Sequence, residues 1–429
     1  MDDPIVLERM RADWNERAGE DAYYYVAFGR RDQDDEEFFA TATDVLRLLR
    51  GELKRMRGRD AALEIGCGPG RLMRPLSYHF REIHGVDVSD RMIRLAEERL
   101  RGTPNAHPHH SSGSDLALFP DEMFDFVYSY AVFQHIPSRD VVFQYLRESR
   151  RVLKTGGILR CQINGLPAHA KQYDTWSGVR ISPADIAEFT RDHDLQLLAL
   201  EQIWTQYMWI TCRKMPAGWG AGLSANEAGR SRIRTISNAL TGERAAPVAG
   251  PMAFLSVWVE NLPDDCDLNR MTMTADGVEC RLSYIGQPET DGVSQVNAAL
   301  PEGLRTGLVP IELRWLGWPV CDPGWMRIVP AGPSVPRISA LTDGVNLLSD
   351  NRVTSGILKV TMLEITNPEQ LRITVDDREA VISDTFCVDP IAQRYEFNVD
   401  LPQGIGSGPH EVRIAVGKRP FPAMPIEVV

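Results

Sequence analysis

The sequence contains no Cys-x-x-Cys pair. Its seven cysteines (67, 161, 212, 266, 280, 321 and 387) are odd in number and scattered, which argues against both a disulfide framework and a thiolate zinc site. No stretch approaches the roughly 18 apolar residues of a membrane-spanning helix. The opening, MDDPIVLERMRADWNERAGEDAYYY, is acidic and amphipathic, whereas a secretory leader is basic and then apolar. Together these absences predict a cytoplasmic protein. Positive charge is also scarce: 47 Lys and Arg against 59 Asp and Glu leave a net charge of −12. An acidic surface is repelled by phosphate backbones and anionic lipids, so neither nucleic acid nor membrane is expected as a partner.

What is present is an ordinary globular composition, 43% hydrophobic and 25% charged over 429 residues. That length accommodates about three domains at roughly 100–200 residues each. The first half alternates short apolar strands with helical patterns, the mark of a parallel sheet covered by helices. Strands are predicted at Ala61–Ile65, Glu82–Asp87, Ala106–Ser111, Phe124–Ser129, Gly157–Asn164, Leu195–Trp204 and Gln206–Arg213. Helices are predicted near Arg71–His79, Ser89–Leu100, Arg139–Val152 and Ser182–Asp192, with Ser89 and Ser182 as N-caps and Pro183 at the first helical position. Gly156-Gly157 is expected to end the third helix and turn the chain into the next strand.

From Met215 the texture changes. MPAGWGAGLSANEAG is a Gly/Ala-rich connector, and beyond it short strands alternate with Pro, Gly, Asn and Asp turns. This half repeats itself. RTISNALTG (234–242) is echoed by PRISALTDG (336–344), and NAALPEGLRTGLVPIELRW (297–315) by NVDLPQGIGSGPHEVRIA (398–415). Ile236 to Ile338 is an offset of 102 and Leu300 to Leu401 an offset of 101, so two tandem copies of immunoglobulin-sandwich size are read, joined through AGPSVP (331–336). The expected organisation is a catalytic α/β domain with an N-terminal helical lid over 1–214, a linker over 215–229, and all-β immunoglobulin-like sandwiches over 230–333 and 334–429.

The chemistry concentrates in ALEIGCGPGRL (62–72), a strand running into a helix through glycines 66, 68 and 70. Each glycine removes a Cβ where the backbone turns tightly or touches a ligand. The dinucleotide fingerprint requires a fourth-spaced glycine at position 71, which is Arg71, and the Gly-Lys-Ser/Thr ending of a nucleoside triphosphate loop is absent. Glu64, just before the loop, suits a ligand bearing an ammonium group. Asp87, in GVDVS at the end of the second strand, is placed to accept both hydroxyls of a ribose. An ammonium site, a tight loop and a ribose site, in that order, describe S-adenosylmethionine.

The segments LEIGCGPGRL, GVDVSDRMI, SGSDLALFPDEMFDFVYSYAVFQHIP and YLRESRRVLKTGGIL, spanning about residues 60–165, resemble the class I S-adenosylmethionine-dependent methyltransferases of the small-molecule type 11/25 group. The resemblance implies a Rossmann-like sheet of seven strands with the last antiparallel, and the cofactor over the carboxyl ends of the strands. Carried over by position, Glu64, Gly66 and Gly68 would contact the methionine part, with Cys67 and Gly70 also binding the cofactor. Asp87 would hold the ribose, with Val88 and Met92 beside the adenine and Ser114, Asp115 and Leu116 on its other side. Many relatives read Gly-Asp where this chain reads Gly-Ser-Asp, which bears on Asp115. Ser129 and Tyr130 would face the sulfonium. His135 in FQHIP is the candidate base, since an unperturbed imidazole titrates near neutral pH. Tyr24, Tyr25 and Gln134 are candidates for the acceptor pocket, the tyrosines because such enzymes build that pocket from an N-terminal extension.

Metal is neither required nor indicated. HPHH (107–110) alternates faces of a strand and has no acidic or cysteine partner nearby in sequence. RESRR (147–151) reads as a solvated helix face, and Trp315 and Trp318 as sandwich core or sugar-stacking residues. No Asn/Asp-Pro-Pro-Tyr motif for base amino groups is present. The function expected is methyl transfer, on oxygen or nitrogen, to a small-molecule or glycan-like acceptor. The alternative is a binding or scaffold protein whose β repeats recognise a polysaccharide or protein partner while the front domain holds cofactor without turnover. The repeats are a further candidate for homodimerisation.

Overall fold

The computed structural model describes residues 4–27, 31–168, 173–224, 231–332, 335–347, 349–389 and 393–429. Parts of the connector (225–229), of AGPSVP (333 and 334) and of the aromatic stretch after Ala27 (28 and 29) lie outside the described residues. The chain divides into two compact units, one of residues 1–19 and 39–332, the other of residues 20–38 and 333–429.

The first unit opens with helix α1 (Pro4–Ala27), which is broken at Asp21 (φ −163°, ψ 89°) as the chain crosses into the second unit. Helix α2 (Asp35–Ala40) brings it back, and α3 (Ala42–Arg55) packs Val45, Leu49 and Leu53 under the sheet. There follow β1 (Ala61–Ile65), α4 (Met73–Leu76), β2 (Glu82–Asp87), α5 (Asp90–Arg99), β3 (Ala106–His110), β4 (Phe124–Ser129), α6 (Arg139–Val152), β5 (Leu153–Ile163), α7 (Pro183–Asp192), β6 (Leu195–Glu201) and β7 (Met208–Lys214). The strand order is β3-β2-β1-β4-β5-β7-β6, with β7 antiparallel to both neighbours. These seven strands, with β7 antiparallel, match the sheet that the resemblance implied, and the interior strand β1 is buried along its whole length, as a strand covered on both faces requires.

The predicted caps form. Ser89 Oγ accepts the Met92 amide at 3.1 Å, and Ser182 and Asp185 make a reciprocal capping box. Two expectations are corrected. The helix predicted over 71–79 is a single turn, because the loop's backbone turns persist to Leu72 and Ser77 Oγ takes the Arg74 carbonyl at 2.7 Å. Gly156-Gly157 does not end a helix. The chain passes directly from α6 into β5 at Leu153, and the glycines form a bulge that shifts the register from Phe124↔Leu153 to Phe126↔Ile158. Gly156 takes φ +85° there, and Lys154 is tied to Asp60 and Asp125 at 3.0 and 3.1 Å.

The same unit continues into an all-β module: β8 (Arg232–Asn238), β9 (Ala245–Pro247), β10 (Phe254–Glu260), β11 (Met271–Ala275), β12 (Val278–Ile285), β13 (Val293–Ala299), β14 (Gly307–Trp315), β15 (Trp318–Pro319) and β16 (Gly324–Val329). One sheet runs β8-β10-β13-β12 and the other β12-β11-β14-β16-β9, around a core of Leu255, Val257, Met273, Ile311, Leu313 and Trp315. Strand β12 also bridges β6 through Tyr284↔Ala199.

The second unit carries β17 (Arg337–Asp343), β18 (Arg352–Val353), β19 (Ile357–Leu363), β20 (Leu371–Val375), β21 (Arg378–Glu379), β22 (Val381–Asp389), β23 (Arg394–Asp400), β24 (Gly408–Val416), β25 (Arg419–Pro420) and β26 (Met424–Val428). Its sheets, β17-β19-β23-β22 and β18-β26-β24-β20-β21, repeat the strand order of the first module. The register of one sequence echo is corrected. Asn238 and Asp343 each end the first strand of their module and accept the amides two and three residues on, which sets an offset of 105 there, whereas β14 and β24 keep 101. The N-terminal segment belongs to this unit. Tyr23 stacks on Phe38 at 3.9 Å, and the Arg31 amide donates to Asn346 Oδ1 at 3.0 Å.

Candidate functional site

The loop after β1 is built by backbone demands. The amides of Gly66 and Cys67 both donate to the Val86 carbonyl, at 2.7 and 3.0 Å, which draws the loop against the end of β2. Gly66, Gly68 and Gly70 take φ of +73°, +51° and +83°, the left-handed region that a Cβ disfavours. A Cβ on Gly66 would also lie 2.4 Å from Val132 Cγ2. Cys67 is buried, and burial pushes its thiol well above the ordinary range, so it is a packing residue of the loop.

Two carboxylates flank this loop. Asp87 Oδ2 accepts the Gly68 amide at 3.0 Å and Oδ1 accepts the Ser89 amide at 2.8 Å, so its orientation is fixed from both sides. Glu64 is buried and accepts the Tyr128 hydroxyl at 2.8 Å. Burial raises its pKa to about 8, against the opposing pull of the Tyr128 hydrogen bond and Arg71, with Asp87 adding to the rise. The two acidic groups thus feel each other across the loop.

Beyond the end of β2, Val88 fills the space beside Gly113, and Met92 is buried in the first turn of α5. Ser114 and Leu116 are buried, while Asp115 accepts the Ser112 hydroxyl at 2.9 Å. The N-terminal turns of α1 form the opposite wall of a solvent-open cleft of about 620 Å³, lined by Leu7, Arg11, His110, Ser111 and Asp115 among others. Ser129 Oγ donates to the Ile65 carbonyl at 2.8 Å and so staples β4 to β1, while the Tyr130 ring lies half-buried, 5.9 Å from Trp209.

Gln134 and His135 sit buried on a single 3-10 turn. His135 Nδ1 faces the Thr175 carbonyl at 3.0 Å, which fixes the proton on Nδ1 and leaves the Nε2 lone pair towards the Gln134 amide at 3.3 Å. Burial, reinforced by nearby Arg17, lowers its pKa to about 4. Tyr24 and Tyr25 lie in the second unit, under the Arg31 guanidinium at 4.4 and 5.8 Å, and the Tyr25 hydroxyl donates to Glu20 at 2.7 Å.

Several site residues escape the sequence. Asn15 of α1 accepts the Ser89 hydroxyl at 2.6 Å and reaches Asp90 at 2.7 Å. Arg17, between the rings of Trp14 and Trp176, donates to Thr175 Oγ1 at 2.9 Å. RESRR is not only a solvated face: Glu148 accepts the Leu116 amide at 3.1 Å, and Arg151 donates to the Leu116 and Phe119 carbonyls at 3.0 and 2.9 Å, fixing the loop beside the cleft. Only the unbroken spacing from Glu148 to Arg151 on one helix face hinted at this. HPHH does have an acidic partner, since β2 lays Glu82 2.6 Å from His107 and His84 3.1 Å from His109. Among the described residues no group of three or more side chains is arranged to hold a metal. Nor, among them, is any helix long and apolar enough to cross a membrane.

Comparison with known proteins gives the same assignment. Residues 63–161 match the family model described as a methyltransferase domain. Trans-aconitate 2-methyltransferase of Rhizobium rhizogenes is 34% identical over 107 residues, 24% of this chain and 38% of that protein. Phosphoethanolamine N-methyltransferase 2 of Caenorhabditis elegans is 34% identical over 97 residues, 22% of each. Ubiquinone biosynthesis O-methyltransferase of Cereibacter sphaeroides is 29% identical over 99 residues, 23% of this chain and 39% of that one. The chain thus spans less than half the length of these curated relatives. Among solved structures, a complex of DhpI with S-adenosylhomocysteine aligns with 49% of this chain and 98% of its own, at 20% identity and a TM-score of 0.36. Residues 63–161 form a methyltransferase domain of the S-adenosylmethionine-dependent kind.

Proposed function

We propose that this protein transfers the methyl group of S-adenosylmethionine to the oxygen or nitrogen of a small-molecule or glycan-like acceptor. The observation that carries the reading is the pair Glu64 and Asp87, set on either side of a glycine-rich loop whose Gly68 amide donates to Asp87. The donor set fits the cofactor. A buried carboxylate whose pKa stands at about 8 wants a cation, which an amino-acid ammonium supplies. Asp87, oriented by two backbone amides, keeps lone pairs for ribose hydroxyls.

When bound, the cofactor supplies a methyl group on a positively charged sulfur, open to in-line displacement. The protein's share is then alignment and exclusion of water, worth about 7–11 kcal/mol in favourable systems. Glu64, the glycine loop and Asp87 fix one reactant, and Val88, Met92, Ser114, Asp115 and Leu116 frame its base. Tyr130, Gln134 and His135 stand on the acceptor side. His135 acts as a neutral imidazole whose Nε2 accepts the proton of the nucleophile, and its low pKa limits it to acceptors already acidic or to orientation. The names of two relatives, with trans-aconitate and phosphoethanolamine, support a small acceptor. The β modules are assigned immunoglobulin-like folds and a role in self-association, and the protein is placed in the cytoplasm. Calorimetric titration with S-adenosylhomocysteine tests the core of this: binding by the wild type, lost on Asp87→Ala, is expected, and a heatless titration of folded wild type defeats it.

A second reading is favoured by one observation. In the first β module Trp315 is core, but Trp318 and Trp325 are 67% and 59% exposed, as ring platforms for sugars are. The protein would then bind a polysaccharide or partner through its β modules. A glycan array on the full chain and on its Trp318→Ala, Trp325→Ala double variant decides it, a signal lost in the variant being the supporting result.

A further inference from the structure

Arg71 follows the third glycine of the loop and folds inward, leaving 6% of its surface exposed. Its Nη1 donates to Thr41 Oγ1 at 3.1 Å, and its guanidinium lies over the Tyr130 ring at 5.6 Å. Its Nε, wholly buried, has no hydrogen-bond partner. Among the described residues the Thr41 contact is the guanidinium's only hydrogen bond, and no carboxylate stands within ion-pairing reach of it. Glu64 is near enough for each charge to act on the other, but does not pair. A guanidinium has five N–H donors and keeps its proton in proteins, so one hydroxyl contact leaves most of its desolvation uncompensated. The same sheet shows what compensation looks like: Arg160, equally buried, meets Glu201 at 2.8 Å and Glu52 at 3.6 Å. Among the described residues Arg71 has no such partner, and it lies against Tyr130 within electrostatic reach of Glu64.

We propose that Arg71 is a carboxylate-binding residue beside Tyr130 and near Glu64, so that the two side chains read an anion and a cation side by side. The inference rests on the methyltransferase reading. The carboxylate comes from one of two sources: the amino-acid end of the cofactor, which carries an ammonium and a carboxylate on one carbon, or the acceptor. In either case the planar fork engages two oxygens in parallel, which a lysine cannot reproduce.

The test is calorimetry on full-length wild type, Arg71→Met and Arg71→Lys with two ligands, S-adenosylhomocysteine and its decarboxylated counterpart, which keeps the amine. Thermal melts with succinate, in the presence and absence of S-adenosylhomocysteine, accompany it. If the cofactor supplies the carboxylate, Arg71→Met weakens S-adenosylhomocysteine by about 10- to 100-fold and the decarboxylated ligand by less than about twofold, with Arg71→Lys intermediate. If the acceptor supplies it, both ligands bind all three proteins alike, and succinate raises the melting temperature of wild type but not of Arg71→Met. Without ligand, Arg71→Met melts no lower than wild type, because an uncompensated charge is removed. The proposal is overturned if Arg71→Met changes neither titration and succinate shifts neither protein. It is equally overturned if Arg71→Met melts lower and loses both ligands in proportion, the mark of a purely structural arginine. Should Arg71→Met fail to fold, the Arg71→Lys titrations decide between the same outcomes. If wild type binds neither nucleoside, the methyltransferase reading fails by itself, and the succinate melts without nucleoside still decide the role of Arg71.

Discussion

The Tyr128 hydroxyl donates to Glu64 Oε2 at 2.8 Å, and among the described residues it is the only donor that the buried carboxylate has. With its pKa at about 8, Glu64 is mostly protonated at pH 7 in the ligand-free protein. An ammonium arriving beside it ionises it. Binding of S-adenosylhomocysteine at pH 7 should therefore release close to one proton, measured as a dependence of the calorimetric heat on buffer ionisation enthalpy, and affinity should rise with pH up to about 8. Glu64→Gln should abolish the release. In the ligand-free protein the sign is opposite. A folded pKa above the unfolded value of 4.5 means stability is lost as pH rises from 4.5 through 8, and Glu64→Gln should flatten that slope in melts.

Asp87 holds the loop through the Gly68 and Ser89 amides. Asp87→Asn keeps the shape but exchanges a carboxylate oxygen for an N–H that cannot accept from Gly68 or Ser89. A fall of about 10- to 100-fold in nucleoside affinity is expected, since hydrogen bonds to charged groups contribute about 1.5–3 kcal/mol. Titration calorimetry on the folded variant checks it.

Gly66→Ala strains the loop twice, through φ +73° and through a Cβ 2.4 Å from Val132. A loss of about 2–4 kcal/mol is expected from overpacking and an unfavourable dihedral together. Denaturant unfolding measures it, and Val132→Ala in the same chain should restore part of it.

His135 is neutral across the physiological range, its pKa near 4 being set first by burial. The pH profile of kcat/KM should show no break near 6.5. Because the folded pKa lies below the unfolded 6.5, the stability His135 contributes is present above 6.5 and lost as pH falls towards 4. Acid melts of wild type and His135→Gln should diverge in that window.

Where a feature depends on neighbours in sequence, the sequence shows it. The strand tips at Glu64 and Asp87, the caps at Ser89 and Ser182, and the glycine loop all follow from short patterns and sit where expected. Where a feature depends on distant partners, the sequence is silent. Tyr128 falls in a predicted strand and Arg71 at the start of a predicted helix, and only the pairing of β1 with β4 brings Tyr128 to Glu64. Gly156-Gly157 carries a stop signal in any helix, yet the ion pairs of Lys154 hold it as a strand bulge. The β repeats show the same limit. Gly307 and Gly408 begin equivalent strands at φ +117° and +129°, and their shared turn chemistry fixes that alignment, while apolar alternation alone allowed a slip of three residues at Asn238.

The seating of residues 20–38 with residues 333–429 has a consequence for biosynthesis. A ribosome delivers this stretch more than three hundred residues before Asn346, which receives the Arg31 amide. Domains ordinarily mature in the order they leave the tunnel. Here Tyr23 and Phe38 wait through that interval for the rest of their unit, so the aromatic segment must be kept from aggregating meanwhile, and loss of residues 333–429 would strand residues 20–38.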